Sequence, residues 1–122
     1  MPFDGTTTDV KTATRDVLQG LLAYYGDGAS WTQVVRHDGH GRRCLTGALR
    51  HVRRIHGIRG DNAKHYLYRA IRQCEPLCAD MMTFNDSASD FEEIRLMLLY
   101  ALRLLETDRP ARSITDRSVT AH

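Results

Sequence analysis

Cys44 has the surroundings closest to those of a nucleophile. It stands immediately before a predicted helix, with Arg42 and Arg43 on its other side. Unpaired backbone N–H groups, the helix dipole and nearby guanidinium groups all favour a thiolate. Thiol catalysis also needs a base beside the sulfur and a group that orients the base. One of His37, His40, His51 or His65 could be that base, and Asn85 or Asp86 the orienting group. Spacing along the chain does not bring these residues together. The plainer state of Cys44, beside Gly47 and Ala48, is a small buried hydrophobe. Asn85 and Asp86 are of the types that satisfy loop backbone donors or cap the helix that follows. A thiol-dependent enzyme built on Cys44, Asn85 and Asp86 is therefore the alternative reading, and the chain carries no complete catalytic motif.

His37, His40, Cys74 and Cys78 are suitable in type for zinc, as a His-x-x-His turn and a Cys-x-x-x-Cys helix end. Neither pair stands in a recognised zinc-module frame, and Cys74 also fits the apolar stripe of a helix. No metal and no cofactor is expected. There is no Gly-rich phosphate loop, no His-Glu-x-x-His element and no dinucleotide fingerprint.

The broadest chemical feature is a basic window. From Arg36 to Arg59 there are seven arginines against the single acid Asp38, and His37, His40, His51 and His56 lie in the same stretch. Such a surface attracts an acidic protein or a nucleic acid. The arginines expected to meet that partner are Arg42, Arg43, Arg50, Arg53, Arg54 and Arg59, with Trp31, Tyr66 or Tyr68 available to stack on bases. A helix-turn-helix reading fails on the length of the turn from Gly57 to Asp61. The expected function is non-enzymatic binding or regulation through residues 36–59.

These residues must be positioned by helices. Val10, Ala13, Val17, Leu18, Leu21 and Leu22 recur at helical spacing after a cap at Thr7 or Thr8, and Gly26 supplies the stop. Thr32 to Arg36 and Arg42 to Leu45 flank Asp38-Gly39-His40-Gly41 and are expected to pair as a small hairpin. Leu45, Ala48, Leu49, Val52 and Ile55 form the stripe of a second helix ended by Gly57. A third follows a cap at Asp61 or Asn62 and stops before Pro76. Leu77 to Phe84 is too short for periodicity to separate an extended segment from a helical turn. Ser89 and Glu92 stand in capping-box register before the last helix, Phe91 to Leu105.

Trp31, the run Gly41-Arg-Arg-Cys44-Leu-Thr-Gly47-Ala48-Leu49, then Phe84-Asn85-Asp86 and Phe91-Glu92-Glu93-Ile94 together resemble a family of small bacterial and phage proteins catalogued as a domain of unknown function. In that family a Cys-x-x-Gly-Ala-Leu stretch opens one helix and a Trp-Asn-Asp stretch precedes the last; here Phe84 replaces the Trp. The resemblance spans roughly Val10 to Leu105 and implies a helical fold with a small hairpin. It implies no activity, substrate or catalytic residue.

Composition sets the frame. A chain of 122 residues with 42% hydrophobic and 26% charged residues has the make-up of one ordinary folded core. No apolar run approaches the ~20 residues of a membrane span, and residues 1–8 do not read as a secretory signal. A cytoplasmic protein that does not meet a membrane is the expectation. The odd number of cysteines, 3, argues for free thiols. The fold expected is mainly α: a compact bundle of about four helices over residues 1–106, with the hairpin between the first two. Its core is Leu18, Leu21, Leu49, Val52, Leu67, Ile71, Ile94, Leu98, Ala101 and Leu102. Residues 107–122 read as a polar tail, mobile in isolation. Composition leaves the oligomeric state open.

Overall fold

The computed structural model describes residues 5–34, 39, 41–78 and 80–108. Five helices follow one another: α1 (Gly5–Tyr25), α2 (Leu45–His56), α3 (Ala63–Cys74), α4 (Met81–Ser87) and α5 (Phe91–Thr107). The chain is mainly helical, and the described residues contain no strand.

α1 starts at Gly5, upstream of the expected cap at Thr7 or Thr8, so those threonines lie within the helix. It buries Val17, Leu18, Leu21 and Tyr25 and ends at Gly26 in the left-handed region (φ 53°). Buried Thr14 donates its hydroxyl to Val10 O (2.7 Å) and accepts Asn62 N (2.8 Å), which ties α1 to the start of α3. α1 packs on α2 and α5, and α3 packs most extensively on α5. α2 and α3, although consecutive, pack chiefly on other helices and leave a cleft between them.

The core is one apolar cluster drawn from every helix. All the expected core residues lie in it except Leu102, which packs against its edge. Tyr25, Met81, Phe84 and Met97 add to it. Ile55, placed by periodicity on the core stripe of α2, is 61% exposed. Its neighbours across the α1–α2 groove include Gly20 and Ala23, too small to cover it.

The expected hairpin is replaced by a single parallel bridge between Trp31 and Arg43. Arg43 N donates to Ser30 O and Thr32 N to Arg43 O. Beyond that point Gln33 and Val34 turn to α4: Gln33 Nε2 faces the carbonyls of Asn85, Asp86 and Ala88, and Val34 N donates to Asp86 Oδ1. Past the bridge, the Gln33 side chain and the Val34 amide are met by residues 85–88 and not by residues 42–45.

Of Leu77–Phe84, ambiguous by pattern, Leu77 and Cys78 lie outside any helix and Met81 to Phe84 open α4, whose N-cap Asp80 accepts Thr83 N at 2.8 Å. Asn85 and Asp86 therefore lie in the last turn of α4 and not in the loop ahead of α5. The N-cap of α5 is Asp90, one residue beyond the expected Ser89, and Glu93 reaches back to Ser89 N (3.3 Å). α5 runs to Thr107, and Asp108 pairs with Arg69 at 2.6 Å. The remainder of the expected tail, residues 109–122, lies outside the described residues.

Candidate functional site

The basic window divides between the two ends of α2. Arg42 and Arg43 precede it, whereas Arg50, Arg53, Arg54 and Arg59 gather at and beyond its C-terminal half; the helix of 12 residues spans ~18 Å. Arg36, His37, Asp38 and His40 lie outside the described residues. At the first end Arg43 is built into the scaffold. Its Nη1 donates to Tyr24 Oη (3.1 Å), its guanidinium lies 5.8 Å from that ring, and its carbonyl accepts Tyr25 Oη (3.0 Å). Burial pushes the Tyr25 phenol well above its usual range, so it remains a neutral donor.

At the second end Arg50, Arg53, Arg54, Gly57, Ile58 and Arg59 line a groove of about 420 Å³. Gly57 adopts φ 64°, which lets the Gly57 and Ile58 amides cap Arg54 O and Arg53 O. Arg53 is fixed by a two-pronged pair with Asp61, Nε to Oδ2 and Nη2 to Oδ1, both 2.8 Å. The Asp61 side chain is almost fully buried, so it holds Arg53 in place without offering its charge to solvent. No carboxylate pairs with Arg50, Arg54 or Arg59 among the described residues. Cations on the last turn also complement the negative end of the α2 dipole.

Arg50 and Arg53 belong to a second hollow as well. This cleft of about 490 Å³ between α2 and α3 includes Leu49, Lys64, Tyr68, Asp80, Met81 and Met82. Lys64, Met81 and Met82 were not picked out by sequence reasoning. The signal for Lys64 was its i,i+4 relation to Tyr68 on α3; the methionines lay in the segment whose structure was undecided. Of the aromatic residues considered for stacking, Tyr68 alone lines this cleft. The Trp31 ring packs on Phe91. Tyr66 lies beside Arg69, and burial together with Asp108 pushes its phenol up to about 12.

Asn85 and Asp86 form a different kind of centre. Asn85 is 0% exposed, and its Oδ1 accepts both Trp31 Nε1 (2.8 Å) and Leu45 N (3.1 Å). Its Nδ2 donates to Thr32 O and to Asp86 Oδ1, both at 3.1 Å. The amide is fully engaged in joining the 31–34 segment, the start of α2 and α4. Cys44 occupies the N-cap position of α2, as expected, and is 1% exposed. A substrate would reach its sulfur only after the α2 N-terminus opened. Cys74 is exposed and Cys78 half-buried, both free thiols.

No protein-family model, no curated protein and no solved structure matches this chain. No helix among the described residues is long and apolar enough to cross a membrane.

Proposed function

We propose that this protein is a non-enzymatic binding or regulatory module that holds an anionic partner through the C-terminal half of α2 and the turn after it. The observation that carries this reading is the convergence of Arg50, Arg54 and Arg59 on one groove, beside an Arg53 held rigid by Asp61. A guanidinium offers a planar fork that matches carboxylate and phosphate oxygens. Arg53 enters the complex with its conformation already set, which lowers the entropy cost of binding. Arg42 and Arg43 belong to the opposite end of α2 and add long-range attraction more than contact.

The test is retention on an immobilised polyanion, heparin, with Arg50→Glu/Arg54→Glu beside the parent chain. The double reversal is expected to elute at markedly lower salt with a melting midpoint lowered only slightly, because exposed charges at the α2 C-terminus contribute little to the fold and much to association. Elution at the parent salt concentration would reduce this face to an ordinary solvated surface.

A further inference from the structure

The basic groove does not end where its arginines end. Through Arg50 and Arg53 it continues into the cleft between α2 and α3, and the cleft has a different character. Leu49 and Met81 form its floor, each 3% exposed, while Met82 is 39% exposed and Tyr68 half-buried. Lys64 faces Arg50 and Arg53 from the α3 side. The cleft therefore combines an apolar floor with a positively charged rim. Two acids belong to the region. Asp61 is committed to Arg53. Asp80 accepts the Thr83 amide at the start of α4, and that bond holds its carboxyl below the usual carboxylate range. The cations Arg50, Arg54, Arg59 and Lys64 outnumber what Asp80 can offset.

Resting on the reading of the basic face above, we infer that the α2–α3 cleft seats an acidic amphipathic segment of a partner protein. The segment's apolar side chains enter over Met82 and Tyr68, its carboxylates meet Arg50 and Lys64 on the cleft rim, and one end of it reaches Arg54 in the adjoining groove. Charge complementarity selects an acidic occupant, and the floor selects one with apolar anchors. A phosphate backbone would use the rim and leave the floor empty. Unbranched thioethers adapt to varied apolar partners, which suits Met81 and Met82 to a peptide surface.

Three labelled probes distinguish the possibilities when titrated into the full chain. One is a peptide with Leu at helical spacing among Glu, the second a poly-Glu peptide of equal net charge, and the third a single-stranded DNA of equal charge. The Glu/Leu peptide is expected to bind about tenfold tighter than poly-Glu, the gain from burying apolar side chains. Met82→Gln is expected to remove most of that difference and leave poly-Glu binding unchanged. Arg50→Glu/Arg54→Glu is expected to weaken both peptides about tenfold or more. Equal binding of the two peptides, indifference to Met82→Gln, or DNA binding tighter than both would overturn the acidic-peptide assignment and leave the anion-binding reading standing. If no probe binds, or the arginine reversal changes nothing, both fall together.

Discussion

Asn85 concentrates more of the fold's polar requirement than any other described side chain. Its Oδ1 serves Trp31 Nε1 and Leu45 N, and its Nδ2 serves Thr32 O and Asp86. Asn85→Ala would leave those buried groups without partners, and a stranded buried donor costs ~1–3 kcal/mol. The expected loss is about 2–4 kcal/mol in urea unfolding, with a red shift of emission from Trp31, the only tryptophan. A variant of parent stability would show that the 31–34 segment is held by something else. Thiol labelling makes a second prediction. Cys74 should react in the native chain, the more readily as pH rises, because burial and Glu75 push its pKa up. Cys44, 1% exposed, should be labelled only on unfolding; rapid native labelling there would revive the thiol-enzyme reading. Sequence could name Cys44, Asn85 and Asp86 but not this network, because Trp31, Thr32 and Leu45, three of the partners of Asn85, lie 40 to 54 positions away. Residue type reveals hydrogen-bonding capacity; only the fold reveals the partner.

Helices were legible wherever an apolar stripe ran for three turns or more, as in α1, α2, α3 and α5. α4, of 7 residues, is too short for such a stripe, and the expected hairpin shrinks to one bridge because, past Thr32, the Gln33 side chain and the Val34 amide bond to residues 85–88 instead. The basic site was legible as a run of charge, and its division between the two ends of α2 follows from the helix bounds; its continuation into the α2–α3 cleft depends on packing. Two substitutions probe the elements themselves. Ser89→Ala should change stability by no more than ~0.5 kcal/mol, because Asp90 holds the N-cap position and the bond from residue 89 to Glu93 uses the backbone amide. A loss near 1 kcal/mol would put the cap back on Ser89. Gly20→Ala sets two effects against each other. Alanine in a helix interior gains ~1 kcal/mol over glycine, but its Cβ would sit 2.7 Å from Val52 Cγ1. Val52 is buried and stiff at χ1, and overpacking of this kind costs ~1–3 kcal/mol. The thermal midpoint should therefore fall; a rise would mean that α1 and α2 can separate at little cost.

The whole molecule is expected to unfold as one unit, because a single apolar cluster contains residues of every helix. α5 is the helix through which that cluster is most directly tested, since it packs on both α1 and α3. Leu98, near its middle, is 0% exposed. Leu98→Ala loses apolar transfer energy and leaves a cavity that the surrounding helices can only partly close, a cost of ~2–5 kcal/mol. That loss should appear as one shifted urea transition with an unchanged slope, the same whether followed by helical circular dichroism or by Trp31 fluorescence. Trp31 is the informative reporter because its segment owes its position to α4 and to Phe91 and not to a hairpin. If the fluorescence transition preceded the helical one, the 31–34 segment and α4 would form a separate, weaker unit. Coincident transitions mean that the cleft between α2 and α3 is as stable as the core beneath it, since Leu49 and Met81 belong to both. The basic rim is then carried on a rigid floor, and Leu98→Ala should weaken the proposed anion binding only in proportion to the unfolded fraction it creates.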